Sequence, residues 1–145
     1  MKQYPWFILL MLCSCGPTKI NMAWEKQLII QTLQKETQYF CERDLVQWQA
    51  QWSQAPFVSK MYAGEHEFEY FTDWAAIRQF TENHIEQNPD PIPLPDSNFD
   101  YEIHLLGTSA WVFFTKNADG KKVKETRFMV KENEKWKIAR METVY

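Results

Sequence analysis

From Phe99 to the C-terminus the chain repeats every two residues, and this pattern restricts the fold more than any other feature of the sequence. Phe99, Tyr101, Ile103 and Leu105 fall on one side of an extended segment, with Asp100, Glu102 and His104 on the other. Gly107-Thr108, Asp119-Gly120 and Glu132-Asn133-Glu134 interrupt the alternation at turn-forming residues. They predict further strands over 110–115, 123–130 and 136–144, so four strands run as an antiparallel meander. If the first two loops hold two residues each, cross-strand pairing sets Ile103, Val112 and Arg127 side by side on one face and Trp111, Phe113 and Phe128 on the other. A sheet that is apolar on both faces must be covered on both. Helices are expected over one face, and a second subunit or element over the other.

The residues ahead of the sheet supply those helices. Trp24, Leu28, Ile29, Leu33, Phe40 and Cys41 recur at helical spacing and predict a helix over 24–41. A second is expected from Asp44, a cap-like acid, through Trp48 and Trp52 to Pro56. Two short strands, 57–62 and 67–71, turn at Ala63-Gly64, and a third helix capped by Thr72 or Asp73 carries Trp74, Ile77, Phe80 and Ile85 as far as Asn88-Pro89. The stretch from Pro89 to Pro95 holds four prolines in seven residues, lacks too many backbone donors for helix or central strand, and is expected to be a stiff connector. The expected fold class is therefore α+β, with three helices packed on a curved, mainly antiparallel sheet.

The first residues follow a different logic. Lys2 precedes a short apolar run, 6–12, which is too brief to span a bilayer, and Leu12-Cys13-Ser14-Cys15 follows. That tetrad resembles a bacterial lipobox, with Leu three residues before the lipidated Cys and a small residue directly before it. The resemblance implies a lipoprotein signal peptide over 1–15, a lipid on Cys15, a tether over 16–23 and a domain over 24–145 on the periplasmic or outer-surface side of a cell-envelope membrane. An ordinary signal peptide cut nearby, or a fortuitous apolar start, is the alternative. Once Cys13 has left and Cys15 is acylated, Cys41 alone remains, so the domain has no intrachain disulfide and Cys41 reads as a buried structural thiol. The net charge of −3 and the alternation of lysines with Glu125, Glu132 and Glu134 near the strand ends suit solvated termini rather than a nucleic-acid surface.

Trp74-Ala75-Ala76-Ile77-Arg78-Gln79-Phe80, Gly107-Thr108-Ser109-Ala110-Trp111-Val112-Phe113, and Glu125-Thr126-Arg127 continuing to Trp136-Lys137-Ile138 resemble, in this order, patterns of the nuclear transport factor 2-like (SnoaL-like) superfamily. The resemblance spans 24–145 and implies a conical fold with an open wide end. The superfamily includes ketosteroid isomerase, scytalone dehydratase and limonene epoxide hydrolase beside members that only bind or only oligomerise, so fold does not settle activity. Registered on Asp44-Leu45 and Ala75-Ala76-Ile77, the isomerase's base position falls at Lys60 and its tyrosine position at Glu36. Both departures speak against that chemistry. His66, His84 and His104 are not spaced as a metal pair and read as surface residues, and no catalytic residue, metal or cofactor is assigned.

Arg127 is the polar residue that stands out, because its strand face should point into the concave interior, where a cation can grip an anion. The segment from Glu125 to Arg127 and the Trp136 strand also resemble the association domain of calcium/calmodulin-dependent kinase, whose matching Arg lines a pocket, although Thr143 replaces another basic position of that pocket. The alternative is an Arg paired with a neighbour such as Glu125 or with an acid on the helices. Trp48, Phe57, Tyr62, Phe71, Trp74 and Tyr101 are candidates to floor a cavity, and Arg127, Tyr62, Tyr101, Trp48 and Trp74 form the expected ligand set. The leading expectation is a membrane-tethered, non-catalytic domain that binds a small apolar or anionic molecule or a partner protein. Runners-up are an isomerase, dehydratase or hydrolase, and a pure dimerisation module. A homodimer is expected through the face bearing Trp111, Phe113 and Phe128.

Overall fold

The computed structural model describes residues 21–96, 99–118 and 120–145; the expected signal peptide, Cys15 and most of the tether lie outside these. Asn21 begins the described chain as a helix cap, its side chain accepting from the Trp24 amide, and α1 (Met22–Cys41) follows. The cap moves the start of the helix two residues ahead of Trp24. Ile29, Leu33, Glu36 and Cys41 are the buried positions of α1, while Trp24 is 58% exposed and lies off the core face, contrary to expectation.

The second helix is shorter than its apolar spacing suggests. α2 (Leu45–Gln49) is capped by the Asp44 carboxylate and ends after five residues. Beyond it the backbone is taken over by a strand: Ile138 N–H donates to the Gln51 carbonyl at 2.9 Å and Ser53 N–H to the Ile138 carbonyl at 2.9 Å, with Trp52 bridged in parallel to Ile138. Tertiary pairing overrides helical periodicity there.

β1 (Ser59–Ala63) and β2 (Phe68–Phe71) form the expected hairpin, although Phe57 lies outside it and is 62% exposed, so it does not floor the interior. α3 (Trp74–Gln87) starts at Asp73, whose carboxylate accepts from the Ala76 amide at 2.8 Å. The connector after it has no regular structure up to Asp96. β3 (Glu102–Leu106) begins later than the alternation does; Phe99 and Tyr101 precede the ladder, but their rings pack on Phe114 at 5.3 and 5.0 Å. β4 (Ser109–Ala118), β5 (Lys121–Glu132) and β6 (Lys135–Val144) complete the meander. Gly107 and Gly120 take φ of 66° and 76° in the first two hairpins, and Asn133 and Glu134 take 47° and 62° in the third, each conformation that a two-residue hairpin turn demands.

The sheet order is β2-β1-β6-β5-β4-β3, with β1 parallel to β6, a pairing the local sequence does not announce, and all other neighbours antiparallel. Ile103 pairs with Val112 and Val112 with Arg127, while Trp111 pairs with Phe128, so the two expected faces are the two observed ones. A bulge between Phe128 and Met129 bends the long β5–β6 pair. The helices lie against the Val112 face, where Ile29, Trp48, Ile77, Val112, Met129 and Ile138 are fully buried in one core. Glu25 fixes one end of α1 to the sheet, accepting from Lys131 at 2.8 Å and from the Trp136 indole at 2.7 Å. Cys41 is buried at the other end.

Candidate functional site

Two cations are buried on the concave side of the sheet, on different strands and in different company. Arg127 sits on β5 between Glu125 and Met129, all facing inward, and is 6% exposed. Its Nη1 donates to the Glu125 carboxylate and to the Thr126 carbonyl at 3.2 Å, and its guanidinium lies 5.6 Å from the Phe114 ring centroid. Glu125 also accepts from the Thr143 hydroxyl at 3.0 Å and meets the Lys116 ammonium at 2.5 Å. Burial alone would push the Glu125 carboxyl up, but the charges of Arg127 and Lys116 and the hydrogen bonds from both outweigh it and hold the group below the usual carboxylate range. Of the two placements open to Arg127, the paired one is realised. The hollow beside it, bordered by Glu36, Phe99, Tyr101, Phe114, Lys116 and Arg127, measures about 60 Å³, which suits water rather than an organic ligand.

Lys60 is the second cation. Val58, Lys60 and Tyr62 alternate inward, and β1 lies between β2 and β6, so that Lys60 faces across to Phe71 and Met141. It is 3% exposed. Its Nζ donates to the Thr81 hydroxyl oxygen at 3.5 Å, and that hydroxyl's own proton goes to the Ile77 carbonyl at 3.0 Å. Four aromatic rings surround the ammonium: the centroids of Tyr62 and Phe80 at 5.3 Å, Trp48 at 5.6 Å and Trp52 at 5.9 Å. Each ring face attracts a cation by roughly 0.5–2 kcal/mol, less than water would supply to the whole ion. Burial therefore drives the Lys60 amine down to about 8, against an upward pull from the Glu36 carboxylate.

Glu36 closes the arrangement from α1. Its Oε1 accepts from the Trp48 indole at 2.8 Å and the Trp52 indole at 3.4 Å, which fixes the two rings that face Lys60. Trp74 stacks on Trp48 at 5.9 Å from α3. Lys60 opens onto a cleft of about 240 Å³ that it shares with Phe40, Tyr62, Phe80, Thr81 and His84, while Glu67, Glu69 and Tyr145 border the cleft as well. Burial, with a smaller push from Glu36, raises the Tyr62 phenol far above its ordinary range, so it stays protonated.

The five expected ligand residues are thus divided. Tyr62 borders the Lys60 cleft; Arg127 and Tyr101 border the narrow hollow; Trp48 is fully buried as one of the four rings around Lys60, and Trp74 is half-buried behind it. Lys60 and Glu36, which sequence reading noted only as departures from an isomerase, are the polar residues at the centre. A signal for both is present. Lys60 interrupts the inward alternation Val58-Lys60-Tyr62, and Glu36 lies on the Ile29-Leu33 stripe of its helix. The three histidines are exposed, and among the described residues no group of three or more His, Cys, Asp or Glu side chains is arranged to hold a metal. Two larger surface grooves, of about 390 and 460 Å³, are bordered by a mixture of exposed polar residues such as Gln31, Lys35, Asp100 and Lys124 and of aromatic ones such as Tyr39, Trp136, Phe113 and Phe114.

Compared by sequence, the chain matches no family model and no curated protein. Solved structures do match. A nuclear transport factor 2-like protein of unknown function from Shewanella oneidensis shares 16% identity over 83% of this chain and 99% of its own, with a TM-score of 0.57. Another from Silicibacter pomeroyi gives 10% identity over 83% and 95%, with a TM-score of 0.61. A candidate dehydratase of the same family from Streptomyces avermitilis gives 13% identity over 84% and 96%, with a TM-score of 0.66. At such identities the likeness is one of architecture, and it agrees with the element order, the curved six-stranded sheet and the helices on its concave face: this chain has the nuclear transport factor 2-like fold.

Proposed function

We propose that the protein is a membrane-tethered receptor domain. A lipid on Cys15 holds it in the cell envelope, on the periplasmic or outer-surface side, and the concave side of the sheet binds a small, largely apolar molecule without turning it over. The observation that carries this reading is the cleft at Lys60: an organic-sized opening, walled by aromatic rings, that reaches a buried polar group. The Arg127 charge is answered within the protein by Glu125, so an anionic ligand is not needed to satisfy it.

Binding without catalysis is favoured by the residues at the isomerase positions, a lysine at 60 and a glutamate at 36 whose carboxylate is engaged by two indoles. The dehydratase reading rests on the family resemblance and on the likeness to the Streptomyces avermitilis protein. No cofactor or metal enters the proposal. A homodimer through Trp111, Phe113 and Phe128 is part of it, because Phe113 is exposed and the Trp111 ring lies 6.2 Å from it and 4.8 Å from Phe128, which makes an aromatic cluster on the sheet face opposite Val112.

Three measurements test the reading. Expressed in a bacterium fed labelled palmitate, the full chain should carry label and sediment with membranes, and Cys15→Ala should lose both; a label-free wild type would overturn the tether. For the cleft, benzyl alcohol as probe should shift indole emission saturably, since Trp48 and Trp52 flank Lys60. A strictly linear response would count against a binding site. Sedimentation of the delipidated domain at micromolar concentration should give a dimer, and a monomer would reject the sheet interface.

A further inference from the structure

We propose that Lys60 is a carbonyl-capturing amine, which holds an aldehyde or ketone ligand in the cleft as a Schiff base. The inference rests on the cleft being the binding site, and it names the chemical class that the cleft takes.

Charge decides the class first. Glu67 and Glu69 border the opening, so an anion meets two carboxylates on entry, while a cation meets the Lys60 ammonium at the end of the path. A neutral molecule meets neither obstacle. The walls are Phe40, Tyr62 and Phe80, which favour an apolar or aromatic body, and the polar group awaiting it is an amine.

The amine is also placed to react. Among the described residues no carboxylate lies in ion-pair contact with Lys60, in contrast to Lys116, which is bound to Glu125, and Lys131, which is bound to Glu25. Thr81 fixes its direction, because the hydroxyl proton is committed to the Ile77 carbonyl and only the oxygen is turned to the amine. With the group lowered to about 8, on the order of one molecule in ten carries the free amine at neutral pH, against well under one in a hundred for an ordinary lysine. The charged and titratable groups that set this value are Glu36 on α1, Glu69 on β2, and Arg127 and Glu125 on β5, with burial the largest influence.

The step balances without an oxidant or reductant. The Lys60 Nζ lone pair attacks the carbonyl carbon, the C–N bond forms as the C=O π pair moves to oxygen, and a proton passes from nitrogen to that oxygen. The nitrogen lone pair then expels the hydroxyl group, which takes up the remaining nitrogen proton to leave as water, and the imine C=N bond is formed. Water is the only other product, and the aromatic walls disfavour its return.

Benzaldehyde with sodium cyanoborohydride tests the proposal on the intact chain. Peptide mapping should find the reduced benzyl adduct on Lys60 at least tenfold faster than on surface lysines such as Lys121 or Lys124. It should also exceed labelling on Lys137, whose amine burial lowers as well but which is bound to the Ala50 carbonyl outside the cleft. Lys60→Arg should remove the fast adduct, and excess benzyl alcohol should slow labelling of Lys60 in the wild type but not of Lys121 or Lys124. Labelling of Lys60 no faster than of the surface lysines overturns the inference. If benzyl alcohol still binds saturably in that case, the receptor reading stands without its covalent step; if it does not bind, both fall.

Discussion

Arg127 and Lys60 are both cations buried under the same helices, yet the protein treats them in opposite ways. Arg127 is bound to Glu125, which is itself held by Lys116 and Thr143, and the space beside it is too small for a ligand. Lys60 has a hydroxyl, four ring faces and a cleft. A charge that is fully answered from within holds elements together, here β4, β5 and β6. A charge left with weak partners costs stability and stays available to a ligand. The proposed binding residue is thus the one whose charge the protein answers least completely.

The strongest way to break the comparison is to remove the answer to Arg127. Glu125→Gln keeps the shape but strands two cations, and chemical denaturation should show a loss of about 3–5 kcal/mol, as for other broken buried pairs. The wild type should in turn weaken in acid. The folded Glu125 carboxyl is held below its unfolded value, so its contribution is complete above that value and is lost as pH falls through the folded one. A loss below 1 kcal/mol would mean that the network is ornamental.

Lys60→Met should act in the reverse direction. Below about pH 8 the wild type must keep a charged amine in an apolar site, and the variant should be more stable by on the order of 3–4 kcal/mol, taking 1.4 kcal/mol per unit of lowering. Between pH 8 and about 10.5 the unfolded wild type binds the proton that the folded one has released, so its stability should climb toward that of the variant. A difference between the two that does not change with pH would show that Lys60 is not strained by burial.

Smaller effects sharpen the contrast. Glu36→Gln keeps an acceptor for the Trp48 and Trp52 indoles but removes the carboxylate charge that supports the ammonium, so the Lys60 amine should fall further, and stability should change by about 1 kcal/mol. Asp73→Ala removes the cap of the helix that carries Thr81, for a loss of about 1 kcal/mol by thermal melting with the Glu125 network unaffected.

Much of the architecture can be read from periodicity. The face that joins Ile103, Val112 and Arg127 follows from alternation and two hairpin loops, and the third helix follows from Asp73 and its apolar stripe. What could not be read locally is where distant backbone competes. The stretch around Trp52 has helical spacing but is drawn into pairing with Ile138, and the parallel contact of β1 with β6 joins residues some eighty positions apart. The site was legible only in part for the same reason. Arg127 was visible because one hairpin ladder places it, whereas the Lys60 box draws on α1, α2, β1 and α3 and exists only once they are assembled.

The ionisation of Lys60 tests the contrast between the two cations most directly. In protein labelled with ¹⁵N and ¹³C at lysine, the Lys60 side-chain resonances should titrate with a midpoint near 8, while Lys131, whose amine the hydrogen bond to Glu25 pushes up, remains charged there. A Lys60 midpoint at the ordinary value of about 10.4 would contradict the account, because an amine fully charged at neutral pH would be as well answered as Arg127.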